Sequence, residues 1–200
     1  MYERKDAFYR EAKARGLRSR AAFKLEDLDR RVLRPGDRVV DLGCWPGGWL
    51  QVAARRVGDR GRVVGVDLRR LDPLGLAAVR VIQGDVADPA TLARVAEALE
   101  GPADVVLSDL SPQLSGIRER DEARATELVR LALSFVGRLL RPGGSLVCKI
   151  FMNADYPALL AETRSRFGEV TTARSQATRK GSAELYLIAR GLRAAPLNSS

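Results

Sequence analysis

A lysine stands inside the apolar run Ser145-Leu-Val-Cys-Lys149-Ile-Phe151, where a charge is seldom buried without a partner or a task. Either its stem carries the ammonium to a rim, or the amine serves a reaction. A second β-rich run, DVVLSDL, closes on Ser108-Asp109 and delivers a carboxylate to the same edge of a sheet. An amine and an acid so placed can orient a hydroxyl, move its proton or neutralise a forming alkoxide. Lys24, on an amphipathic stretch, and Glu184, opening ELYLIAR, read by themselves as solvated charges. The chain contains no histidine, so imidazole bases, Ser-His-Asp triads and His-based metal sites are excluded, and no metal is expected. Its two cysteines, Cys44 and Cys148, lie in apolar contexts that suit small buried thiols rather than a disulfide framework.

A second constellation starts where the run RVVDLG turns into Asp41-Leu-Gly43-Cys44-Trp45-Pro46-Gly47-Gly48-Trp49. Glycines at such a turn let backbone approach a ligand closely. Gly43 is followed by three residues before Gly47 and Gly48, which departs from the GxGxxG spacing that seats a pyrophosphate and disfavours a dinucleotide. Asp67 ends the next β-rich run, where a carboxylate can accept both hydroxyls of an adenosine ribose, and Asp85 ends the third, placed for the adenine amino group. Asp41 is suited to a cationic amino acid end, directly or through water. Three acids repel a polyphosphate but tolerate a sulfonium.

These residues need a frame. The runs RVVDLG, RVVGVDL, VRVIQGD, DVVLSDL and SLVCKIF alternate with helical patterns over about 21–32, from 48, and over 89–99, 121–140 and 156–167, with Ser19 as the expected N-cap of the first. Continuous apolar strands between helices imply an α/β fold, a doubly wound, mostly parallel sheet. EVTTAR and ELYLIAR add two strands for a total of seven, and their short connection makes that pair antiparallel. A length of 200 residues with 46% apolar and 30% charged content fits one domain, expected over residues 1–193, with a basic leader to about residue 20 and a frayed tail over 194–200. The charged leader lacks the apolar core of a secretory signal, and no run approaches membrane-spanning length, so a cytoplasmic protein is expected.

The formal charge of +9 is concentrated at the ends. Residues 1–24 hold eight Lys/Arg against three Asp/Glu, and residues 164–193 hold seven against two. Folded onto one face, these segments suit a polyanion, with nucleic acid the first candidate and binding that weakens steeply with salt.

Taken together, SRAAFKL, DLGCWPGGW, VDL, QGD, SDLSPQLSG, LRPGGSLVCKIF and SAELYLIA resemble, in order and spacing, the FtsJ-like ribosomal RNA ribose 2'-O-methyltransferases, from about Phe8 to Arg190. The resemblance implies a Rossmann-like methyltransferase fold, S-adenosyl-L-methionine as methyl donor, and a catalytic tetrad falling on Lys24, Asp109, Lys149 and Glu184. It also assigns Gly47, Trp49, Asp67 and Asp85 to the donor, with Asp109 close to the transferred methyl. Its implied target is a uridine in the A loop of 23S ribosomal RNA within the large ribosomal subunit. Arg18, Arg20, Arg179 and Lys180 are the expected RNA contacts; no obligate protein partner is indicated, and a monomer is expected. Cys44 and Trp45 depart from the small residues common in the family. The alternatives are a transfer-RNA ribose methyltransferase and a non-catalytic RNA-binding assembly factor.

Overall fold

The computed structural model describes residues 3–28, 32–178 and 182–194. The valine-rich runs become parallel strands because helices cover both faces of the inner ones. They are β1 (Arg38–Leu42), β2 (Arg62–Asp67), β3 (Val79–Gln83), β4 (Ala103–Ser108) and β5 (Leu140–Phe151). With β6 (Phe167–Ala173) and β7 (Glu184–Leu192) they form a seven-stranded sheet ordered β3-β2-β1-β4-β5-β7-β6. The last strand is antiparallel as expected, but it inserts between β5 and β6 and runs antiparallel to both.

Residues i and i+1 of each inner strand feed two separate cores, as a pleated strand requires. Val39, Val63, Val105, Val147 and Tyr186 face α1 (Glu3–Ala14), α2 (Ala21–Leu28) and α3 (Gly48–Val57). Val40, Val64, Val106, Leu146 and Leu187 face α4 (Pro89–Leu99), α5 (Arg118–Leu139) and α6 (Tyr156–Arg166). β1 pairs with β2 on one side and β4 on the other, so the strand order reverses at β1 and opens a crevice beyond its C-terminal end. No helix among the described residues is long and apolar enough to cross a membrane.

Several local expectations are corrected. The basic leader forms α1, which the charge reading left unassigned; Ala12 is buried in the core and the Phe8 and Phe23 rings lie 5.6 Å apart. α2 ends at Leu28, and residues 29–31 of the longer helix expected lie outside the described residues. α5 begins at Arg118, three residues ahead of Asp121. Arg141-Pro-Gly-Gly144 belongs to β5, whose pairing with β4 shifts register between Ala103 and Val105. Ser19 does not cap with its hydroxyl: its carbonyl accepts from the Ala22 amide at 3.2 Å, while Oγ is buried without a hydrogen-bond partner.

Candidate active site

Strand ends and the glycine turn build one half of the site. Gly43, at φ 78°, packs against Leu110, and a β-carbon there would sit 2.9 Å from the Leu110 side chain. Gly48 has a packing duty as well: an added β-carbon would lie 2.3 Å from Ser19 Oγ, so its bareness lets the entry to α2 press onto α3. Trp49 likewise turns its side chain inward, donating from Nε1 to the Ala21 carbonyl at 2.8 Å with its ring 5.8 Å from Tyr186. The indole thereby ties α2 to α3, leaving backbone at the first turn of α3 as what Gly47, Gly48 and Trp49 can offer a ligand.

Asp67 accepts from the Trp45 amide through Oδ2 and from the Arg69 amide through Oδ1, each at 2.9 Å. Each oxygen keeps a second lone pair, so the carboxylate is both oriented and able to accept more. Cys44 is buried beneath, against Gly65, while Trp45 faces outward with the Arg69 guanidinium 4.5 Å above its ring. Asp85 lies two residues beyond the end of β3, exposed, with Oδ1 accepting from the Ala87 amide at 2.8 Å. Asp41 is fully buried and neither of its oxygens has a hydrogen-bond partner. Burial first, then the charges of Asp109 and Asp67, push its carboxyl well above the ordinary range. An orphaned buried acid beside two more suits a ligand bearing an ammonium and a sulfonium, and these residues therefore fit an S-adenosylmethionine-type methyl donor.

Pairing of β5 with β7 builds the other half. Lys149 lies opposite Tyr186 and Phe151 opposite Glu184, so Lys149, Tyr186 and Glu184 share the face that meets α2, from which Lys24 descends. Asp109 follows β4, its amide donating to the Leu42 carbonyl at 3.2 Å. The four predicted groups converge. Lys149 Nζ donates to the Asp109 carbonyl and to Asp109 Oδ1, both at 3.0 Å; Lys24 Nζ donates to Glu184 Oε1 at 2.6 Å.

Tyr186, to which the sequence assigned no role, joins the two pairs. Its hydroxyl donates to Asp109 Oδ1 at 2.9 Å and accepts from Lys24 Nζ at 3.2 Å. Burial, then the charges of Asp109 and Glu184, raise the phenol far above its ordinary value, which keeps it protonated as a link. The signal available in the sequence was its place two residues after Glu184, on the same strand face. Both lysines are buried, at 9% for Lys24 and 7% for Lys149, which removes the surface-charge reading of Lys24.

Burial raises the Glu184 carboxyl, but the Lys24 hydrogen bond and charge, the Lys149 charge and the Thr178 hydroxyl together take it below the ordinary value. A depressed acid stabilises the fold above its unfolded pKa, and that contribution disappears as pH falls through the folded value. Glu184→Gln is therefore expected to lose about 1–3 kcal/mol at neutral pH. Followed by thermal unfolding, the gap between variant and parent should close below the ordinary glutamate value of about 4.3. A gap unchanged on acidification would remove the ion pair as its source.

A cavity of about 340 Å³ opens onto this relay, with Lys24, Lys149 and Glu184 in its lining. Arg20 also lines it. Arg18 is placed differently: its guanidinium donates to the Asp72 carbonyl at 2.9 Å and the Pro73 carbonyl at 2.8 Å, clamping the β2–β3 loop beside Gly47. Arg179 and Lys180 lie outside the described residues, as does the tail from residue 195.

A doubly wound sheet with acids around the turn at its switch point and an amine–acid relay one strand away defines an α/β methyltransferase. The FtsJ-like methyltransferase model matches residues 17–192, and the chain belongs to that family. It is 47% identical over 199 residues to "Ribosomal RNA large subunit methyltransferase E" of Methanothrix thermoacetophila, covering 98% of this chain and 76% of that one. A protein of the same name from Alkalilimnicola ehrlichii is 46% identical over 189 residues, covering 93% and 90% of the two chains. A solved structure described as a ribosomal RNA methyltransferase from Plasmodium falciparum superposes with a TM-score of 0.77 at 26% identity, over 89% of this chain and 100% of that one.

Proposed function

We propose that this methyltransferase uses S-adenosyl-L-methionine to methylate a ribose 2'-hydroxyl of 23S ribosomal RNA in the large subunit, at a uridine of the A loop, in the cytoplasm. The observation that carries the reading is the unbroken chain Glu184–Lys24–Tyr186–Asp109–Lys149, whose Lys24, Lys149 and Glu184 line a cavity of about 340 Å³. The names of the relatives favour ribosomal over transfer RNA, and the intact relay speaks against a purely structural assembly factor.

When bound, the donor supplies an electrophilic methyl carbon on a sulfonium. Asp67 would hold its ribose hydroxyls, Asp85 its adenine amino group and Asp41, directly or through water, its cationic amino acid end. Asp109 fixes Lys149. Lys149 meets two oxygens of Asp109, leaving one further position on Nζ. In the neutral amine that position is a lone pair that takes the 2'-hydroxyl proton; in the ammonium it is an N–H that stabilises the alkoxide. A single-turnover rate that rises with pH to a plateau identifies the base, and one that falls at high pH identifies the cation. Lys24, locked between Glu184 and Tyr186, adds positive charge to the same cavity lining. Holding acceptor and donor in line supplies much of the rate.

Incubation with methyl-labelled donor and either large subunits from cells lacking the protein or transfer RNA tests the reading. Label is expected in 23S RNA of the subunits, resistant to alkaline cleavage at one nucleotide. Label confined to transfer RNA, or to none, would overturn it.

A further inference from the structure

The segment between β4 and α5 lines the same cavity as the two lysines, and its tip is odd. Leu114 is 79% exposed, the most open of the large apolar side chains among the described residues, yet it lines the cavity with Ser111 and Pro112. An exposed leucine on a loop needs no explanation where the loop is loose. This one is tied on both sides of the leucine. Before it, the Gln113 carbonyl accepts from Arg124 at 3.1 Å. After it, Asp121 Oδ1 accepts from the Ser115 amide at 2.8 Å and the Ser115 hydroxyl at 2.7 Å, and Oδ2 accepts from the Gly116 amide at 3.2 Å. The Ser115 hydroxyl in turn accepts from the Ile117 amide at 3.3 Å. Two side chains of the first turns of α5 thus hold an apolar group in place where it meets no core.

What it meets follows from the acceptor's covalent structure. A ribose whose 2'-oxygen lies against Lys149 carries its base on the adjacent carbon, so the base must occupy the same cavity. The apolar part of its lining is Pro112, Leu114 and Phe151, with Phe151 two residues beyond Lys149 on the same face of β5. Apolar surfaces of this kind receive the π-face of a base that has left its stack. Resting on the ribose-methylation reading above, we propose that Leu114 is the seat of the acceptor nucleotide's base, and that Asp121 is a positioning residue that fixes Leu114 through Ser115 and Gly116. The acceptor enters as an unstacked nucleotide, and its base contact sets the attack geometry of the 2'-oxygen.

The test uses the full chain, large subunits from cells lacking it, and S-adenosylhomocysteine as the probe of the donor site. Leu114→Ala is expected to slow single-turnover methylation at saturating subunits about 10-fold or more. Donor affinity and melting temperature should stay at parental values, and KM for subunits should move less than the rate. Leu114→Met, which restores apolar reach, should recover most of the loss. Asp121→Asn, which exchanges two acceptor oxygens for one and an amide donor, should reproduce the Leu114→Ala defect in the same split. Parental rates for both Leu114→Ala and Asp121→Asn overturn the proposal, as does a rate loss matched by equal loss of donor affinity. If the parent itself transfers no methyl to subunits while binding the probe, the function reading fails first.

Discussion

Lys149→Ala is expected to abolish methyl transfer, by about 10³-fold or more in a single turnover, while S-adenosylhomocysteine binds with parental affinity. The reason is geometric. Lys149 lines the cavity with its Nζ 3.0 Å from Asp109 Oδ1, whereas the acids Asp41, Asp67 and Asp85 assigned to the donor sit on β1, at the end of β2 and beyond β3. Lys149→Arg should not rescue, because a planar guanidinium has neither the compact tetrahedral donor set nor the ability to give up a proton. The check is labelled transfer to large subunits beside calorimetric titration of the donor site. A parental rate for purified Lys149→Ala would remove the residue from the chemistry, and loss of donor affinity would move it to the wrong half of the site.

Asp109→Asn should have the second largest effect, and on two properties at once. Asp109 Oδ1 takes hydrogen bonds from both Lys149 and Tyr186, at 3.0 and 2.9 Å, in a place where the Lys149 side chain is 5% exposed. An amide keeps the shape but removes the charge that compensates a buried ammonium. Breaking one side of such a pair costs about 3 kcal/mol, and the accompanying loss of preorganisation should lower the rate about 10²-fold. The double variant Asp109→Asn with Lys149→Met separates the effects. Removing both charges is expected to return much of the melting temperature and none of the activity. A double variant no more stable than Asp109→Asn would mean that the pair is not what holds this part of the fold.

Tyr186 shows how the relay escaped a reading by pattern. In ELYLIAR it alternates as any buried aromatic would, and it is completely buried. Its polar end matters only because β7 lies beside β5 in a register that sets it opposite Lys149. Arg18 and Gly48 carry packing duties that charge and spacing did not suggest: Arg18 clamps the β2–β3 loop and Gly48 lies under Ser19. The departure at Cys44 and Trp45 resolves the same way, one side chain filling the space beside Gly65 and the other stacking with Arg69.

By itself the sequence determined the strands, their parallel core, the glycine turn and the acids around it, because strand period, turn chemistry and the burial cost of a charge act over a few residues. Lys149 and Asp109 were legible for the same reason, being polar groups at the ends or centres of apolar runs. Tertiary structure alone decided that Lys24 and Glu184, 160 residues apart, become a buried pair at 2.6 Å. That contact depends on two facts of assembly: the insertion of β7 between β5 and β6, and the seating of α2 on α3 through Trp49 and Gly48. Strand order and helix seating are settled by which faces can be buried together, a property of the whole chain that no local window contains.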